Sequence, residues 1–444
     1  MERTDALLDR YSEAVPMDWI ESVLDDLGSG RGGGLFSPAL TCWLLMRQRF
    51  DGLSVEAAWG TVSPELALAF SPSSKRAQSG VLSSFPGGYG YARQALPLVV
   101  AEAVCDRLFT LLSEPSGDAQ AFVLDGTSLS PDGSPEIRRA FPAQRSKNTQ
   151  SHFPCIKVVV AHELNTGLAL RPTWGPMYGS QAVSEQELAT ELAPRLPAGA
   201  IAVADRNFGV FSLAYDLMAL RHPCVVRLTD LRAQKVLAKE LSECPDGEYD
   251  VVWQASKWDT KSRPDLIGKS LSGRVVIRHI AHLGPKQPAR LVLFVCGTDL
   301  SGEEAARLYA RRWLVETDLR TLKHSLSMER LAAKTLDVLS KEIILGFAAY
   351  NLIRAVGKAA AEDAGVDPRS ISFARTSAYI RAFAPRLSAE RNPANRRELA
   401  QRMLRNIAAR LNKPRNRPST PRQTWHRREK YPPKKPAEAR GGKN

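Results

Sequence analysis

Two short apolar runs that each end in an aspartate constrain this chain most: Ala121-Phe-Val-Leu-Asp125 and Ala200-Ile-Ala-Val-Ala-Asp205. Runs this short, followed by the turn formers Gly126 and Gly209, read as buried strands rather than helices. Between them, Lys157 to Ala161 and Gly167 to Arg171 predict a hairpin around Asn165-Thr-Gly167. Ser184-Glu-Gln-Glu187 is a capping-box pattern that opens a helix to about Leu196. A helix from Val210 to Arg221 and a strand from Cys224 to Leu228 come next. Strand, hairpin, helix and strand in this order predict a mixed α/β or α+β core.

The flanks have a different character. Pro16 to Leu27 has helical apolar spacing and stops before the glycines of residues 28–34. Ser37-Pro38 is an N-cap followed by proline at the first turn, predicting a helix over Ala39 to Phe50. Ser71-Pro-Ser-Ser-Lys-Arg76 and Pro86-Gly-Gly-Tyr-Gly-Tyr91 predict breaks, and Ala92 to Leu112 one long helix. This helical region, residues 1–115, reads as separate from the strand-bearing core. A long apolar helix is expected from Leu336 to Ala361, and a basic one from about Arg396 to Leu411. Strand signals at Tyr249 to Trp253, Arg274 to Ile280 and Leu291 to Val295 predict a β subdomain inserted at about residues 230–296.

Residues 303–330 contain neither Gly nor Pro and predict one continuous helix. At about 100° per residue, Tyr309, Arg312, Glu316 and Lys323 share an arc of roughly 60°. Beside it runs a core-facing stripe of Leu308, Val315, Leu319, Leu322 and Leu326. Arg312 with Glu316, and Glu316 with Arg320, are also i,i+4 pairs of the kind that decorate any exposed helix. The spacing Tyr309-x2-Arg312-x3-Glu316-x6-Lys323 resembles the Y-R-E-K signature of the insertion-sequence-four family of DDE transposases. Leu-Asp125-Gly-Thr127 and Ala-Asp205-Arg-Asn-Phe-Gly209 are similar to that family's two earlier acidic motifs, in the right order.

The resemblance covers Ala119 to Ala361 and the tail, and more loosely the N-terminal part. It implies an RNase H-like core in residues 116–362, carrying the β insertion, and a third catalytic carboxylate in Glu316. It also implies that the N-terminal helices bind the element's terminal DNA, although a purely structural helical cap fits the residues equally well. Phosphodiester cleavage and strand transfer need two divalent ions held by hard oxygen ligands. Asp125 bridging two Mg²⁺ ions, with Asp205 on one and Glu316 on the other, meets that need, and Mn²⁺ can substitute. Each aspartate has a plainer reading, as a turn residue at Asp125-Gly and as a helix cap at Asp205; the conjunction of three favours the catalytic one. Asp106 and Asp132 are poorer candidates, and His279-x-x-His282 is isolated.

Around these carboxylates the family pattern implies that Tyr309 and Arg312 hold DNA phosphate and that Lys323 adds a cationic contact. It also implies an aromatic residue in the insertion that stacks a flipped base during hairpin formation. Trp253 and Trp258 are the candidates, with Trp253 slightly favoured because Val251-Val-Trp253 reads as strand; either is equally a core residue of a small β unit.

A net charge of +14 favours a polyanionic partner, and +9 of it lies in residues 413–444, a basic tail expected to be disordered when free. Residues 363–412 form the C-terminal helical region between core and tail. Six cysteines without a C-x-x-C pair argue against a zinc ribbon or a disulfide framework. No apolar run suggests a membrane span and Met1-Glu-Arg-Thr-Asp lacks a secretion signal, so a cytosolic, nucleoid-associated protein is expected. The reading is a cut-and-paste transposase acting on double-stranded DNA, the terminal inverted repeats and the target, as a homodimer on DNA. A stand-alone nuclease and a transposase-derived, non-catalytic DNA-binding protein are the alternatives.

Overall fold

The computed structural model describes residues 17–26, 34–113, 120–144, 153–280 and 289–412. The two aspartate-bearing runs are neighbouring parallel strands. β1 (Ala121–Pro131) pairs with β4 (Ile201–Ala204) from Ala121 opposite Ile201 to Leu124 opposite Ala204. On one side β1 is joined by β2 (Ile156–Glu163) and β3 (Thr173–Pro176), both antiparallel to their neighbours. On the other, β5 (Cys224–Arg227) runs parallel to β4. The order β3-β2-β1-β4-β5 with β2 reversed is that of an RNase H-like core. The hairpin returns later than expected: Gly167 to Arg171 contributes one bridge, His162 to Ala169, and the paired strand is Thr173–Pro176.

The predicted insertion does not stand apart. β6 (Gly247–Gln254), β7 (Ser270–Ile280) and β8 (Ala289–Cys296) form an antiparallel set whose last strand pairs with β5, extending the same sheet to β5-β8-β7-β6. The physical reason is the free edge of β5: an unpaired row of backbone donors and acceptors is costly to leave, and β8 satisfies it. A short β9 (Arg330–Leu331) pairs with the far end of β1.

The N-terminal helices also pack onto the central helix. This long apolar helix spans Leu336–Ala364 and is buried on nearly all sides. It packs against Pro38–Asp51, Leu98–Leu112 and Pro393–Ala408, so the N-terminal and C-terminal helices share one hydrophobic core with the sheet. By length and composition this helix is apolar enough to cross a membrane, contrary to the expectation that no stretch would be, but 89% of its most apolar window is buried inside the protein. Ser37 caps the helix Pro38–Asp51 as expected, its hydroxyl accepting from Leu40 N at 3.2 Å. The expected long helix from Ala92 is two helices, Gly87–Ala95 and Leu98–Leu112. Pro97 at φ −61°, ψ 136° divides them, having no N–H to continue the ladder. The glycine-rich stretch expected to break the chain opens the helix Gly87–Ala95, and its Gly88 lets the Phe36 ring approach where a Cβ would collide with it.

Candidate active site

Asp125 lies within β1 rather than in a turn. Its β4 partner strand ends at Ala204, so the parallel ladder opens beside Asp125 and the next β4 residue is Asp205. The two aspartates therefore emerge together where β1 and β4 part. Asp205 does not cap the following helix Phe211–Ala219, whose N-cap is Val210. Its Oδ1 accepts instead from Asn207 N at 2.8 Å, which fixes the carboxylate in the loop after β4. Asp125 Oδ1 accepts from Gly126 N at 2.9 Å.

Glu316 reaches them from a helix that differs from the expected one. The stretch 303–330 forms two helices, Gly302–Ala310 and Trp313–Ser325, with a tight turn at Arg311-Arg312. Arg312 N bonds Tyr309 O at 2.9 Å and Val315 N bonds Arg312 O at 3.0 Å, the three-residue spacing of a tightened turn. The first helix packs on β7 and β8 and the second on β1 and the central helix, so tertiary contacts break a stretch without a local breaker. The second helix also ends early. Ser327 adopts φ 53°, and Arg330-Leu331 turns away to pair with Ser130-Pro131. Val315, Leu319, Leu322 and Leu326 are buried as predicted.

Arg312 joins the carboxylates. Its guanidinium is 3.7 Å from Asp125 Oδ2 and 3.2 Å from Glu316 Oε1. Burial pushes the Asp125 carboxyl up to about 6; the Gly126 N–H and Arg312 oppose the rise, and the negative charges of Asp205 and Glu316 add to it. Asp205 and Glu316 thus each lie within electrostatic reach of Asp125. As the side chains stand, no three His, Cys, Asp or Glu residues among those described close on one ion. The donor set nonetheless fits a hard divalent cation: carboxylate oxygens only, with an arginine standing as counter-charge to Asp125 and Glu316.

The remaining expected residues divide. Tyr309 is 8% exposed and its ring lies 5.9 Å from the Arg312 guanidinium. Lys323 is partly buried on the face of Glu316, about two turns further on, and burial lowers its pKa. Trp253 is a core residue, 8% exposed and edge-on to Phe211 and Phe294 at 5.7 and 4.9 Å. The slight preference for it as a stacking residue is thereby corrected. Trp258 is 77% exposed, with the Lys261 ammonium 5.8 Å from its ring. Trp258 follows β6 in the helix Lys257–Ser262, next to Asp259, whose charge acts on Arg232, the donor to the Arg206 and Gly209 carbonyls after Asp205. His279 is engaged by Asp246, and His282 lies outside the described residues.

Two residues of the second signature helix escape a reading by spacing alone. Trp313 is 58% exposed, next to Arg312 and one turn before Glu316. Asp318 is 1% exposed and is held by Arg354 and by Arg369 Nη2 at 2.7 Å. Its angular position beside the apolar stripe was the available signal, but a lone aspartate there reads equally as exposed.

A family model described as the transposase DDE domain matches residues 116–352. The transposase InsG for insertion sequence element IS4 of Escherichia coli (strain K12) is 25% identical over 266 residues, covering 58% of this chain and 57% of that protein. The match thus spans little more than half of that relative's length. A cryo-EM structure of the piggyBac transposase synaptic complex with hairpin DNA aligns over 95% of this chain and 88% of that one, at 11% identity and a TM-score of 0.42. With the domain model spanning the two aspartate strands and the glutamate helix, this chain belongs to the transposase DDE-domain family.

Proposed function

We propose that this protein binds the ends of an insertion sequence and moves it by cut-and-paste transposition through a hairpin intermediate, working in the cytosol on nucleoid DNA. The observation that supports the reading is that Asp125 and Glu316 meet at Arg312 where β1 and β4 part, with Asp205 following the β4 residue paired to Leu124. Two Mg²⁺ ions, or Mn²⁺ in their place, supply activation of the attacking oxygen and stabilisation of the leaving one when bound. Asp125 would contact both, Asp205 one and Glu316 the other. Arg312, kept cationic by its acidic neighbours despite burial, offers DNA phosphate a bidentate grip once it leaves the carboxylates. Lys323 adds a charge further along the same face. Joining two ends requires two active sites, so a homodimer assembled on double-stranded DNA is expected.

Hairpin formation bends the DNA end and unstacks a base, and an exposed aromatic face recovers about 1 to 3 kcal/mol of stacking. Trp313 is an exposed indole one turn before Glu316 and takes this role, with the exposed Trp258 as the other candidate; Trp253 is packed in the core. End-labelled DNA carrying the inverted repeats that flank the coding region, resolved on denaturing gels, tests the whole reading. Asp125→Asn, Asp205→Asn and Glu316→Gln should each abolish cleavage and keep DNA binding. Trp313→Ala should nick normally and form hairpins roughly ten- to hundred-fold more slowly. Wild-type cleavage by any carboxylate variant removes that residue from the site, and nicking without hairpins by the wild type reduces the protein to a nuclease.

A further inference from the structure

The two aspartates are linked by a residue that none of the acidic motifs contains. Glu185 is the first residue of the helix Glu185–Leu192, behind the capping box of Ser184 and Glu187. Its Oε2 accepts from Asn207 Nδ2, while Asn207 N donates to Asp205 Oδ1 at 2.8 Å. Gln186 Nε2 donates to Asn207 O at 2.6 Å, so the start of this helix grips the loop after Asp205 twice. The other oxygen of Glu185 lies directly over Gly126, where an added Cβ would collide with it. Glycine beside Asp125 therefore makes room for this carboxylate.

We propose that Glu185 is a positioning residue that braces the metal-binding aspartates, clamping the Asp205 loop through Asn207 against the strand at Asp125-Gly126. The inference rests on the transposase reading of the three carboxylates. It differs from a ligand role, because what Glu185 supplies is a hydrogen-bond acceptor for Asn207. Partners of this outer-shell kind orient ligands, and removing one typically costs about 10- to 100-fold in metal affinity or activity.

Mn²⁺ binding to the full chain, measured by the electron paramagnetic resonance of free Mn²⁺, reads the brace without cleavage. Glu185→Ala should weaken Mn²⁺ binding about ten-fold or more. In cleavage assays it should raise the metal concentration for half-maximal rate by the same factor, with most of the rate restored at saturating metal. Gly126→Ala displaces only the end of a flexible side chain, keeps every carboxylate, and should reproduce the defect. Glu185→Gln keeps the acceptor for Asn207 and should recover the wild-type metal affinity. Asn207→Ala combined with Glu185→Ala should be no worse than the worse single variant, as expected for two members of one link. Unchanged Mn²⁺ affinity in both Glu185→Ala and Gly126→Ala overturns the brace. A Gln variant as poor as Ala also overturns it, since the charge would then be acting on the ion itself. Failure of the transposase reading shows differently: the wild type then cleaves no element end, whatever the Mn²⁺ affinities of the variants.

Discussion

His162 and Asp318 show how single buried groups hold the glutamate helix in place. Asp318 sits on the helix of Glu316 but faces inward, between Arg354 of the central helix and Arg369 of the following turn. Burial raises its pKa, but these two guanidiniums outweigh that and hold the carboxyl below its usual range. His162 Nδ1 lies 3.9 Å from Asp318 Oδ2 and 3.2 Å from the Gly167 carbonyl. Burial pushes the imidazole down to about 4, so it is neutral at pH 7. Because the folded-state value lies below the unfolded one, the unfolded chain takes up the proton first as pH falls. The folded state is then fully favoured above about pH 6.5 and loses up to roughly 3 kcal/mol as pH drops towards 4. Denaturant unfolding measured from pH 7.5 to 4.5 should show this decline, and His162→Gln should flatten it. An equally steep decline in the variant would assign it to other groups.

The central helix Leu336–Ala364 is stapled to its neighbours by polar groups at successive levels. Lys341, fully buried, donates to the Arg93 and Gln94 carbonyls at 3.0 and 3.1 Å, satisfying the end of the helix Gly87–Ala95. Glu342 accepts from Arg93 at 2.8 Å. Further along the same helix, Asn351 accepts from Ala169 N and donates to Ala169 O, both at 2.8 Å, taking the place of a strand partner. Asn351→Ala should leave both backbone groups buried without a partner, each costing about 1 to 3 kcal/mol. The unfolding free energy should therefore fall by about 2 to 6 kcal/mol in equilibrium denaturation, with m unchanged. A loss below about 1 kcal/mol would mean that water replaces the side chain.

At the scale of the molecule, one core unites three sequence regions, while the charge is unevenly spread. The last 32 residues carry +9 of the net +14 and lie outside the described residues. Each phosphate neutralised contributes about 0.9 to the salt slope of duplex binding. Removing residues 413–444 should therefore lower the slope of log affinity against log salt by several units while leaving thermal unfolding unchanged. An unchanged slope in filter-binding titrations would show that the tail does not touch DNA.

The order of core strands, the two aspartates and the acidic helix were legible along the chain because each rests on local pattern: short apolar runs, a capping box, an apolar stripe. Pro97 carried the signal for a helix boundary, but the helix expected over Ala92 to Leu112 ran through it. The tight turn at Arg311-Arg312 was not, since no residue there disfavours a helix and the break comes from two helices packing on different parts of the sheet. Nor was the joining of β8 to β5, because backbone ladders form between distant segments without regard to side-chain identity. The places of Trp253 and Trp258, the inward turn of Asp318 and the seat of Glu185 over Gly126 follow from that topology. Local chemistry thus determined which groups the site contains, and long-range packing decided which of them meet.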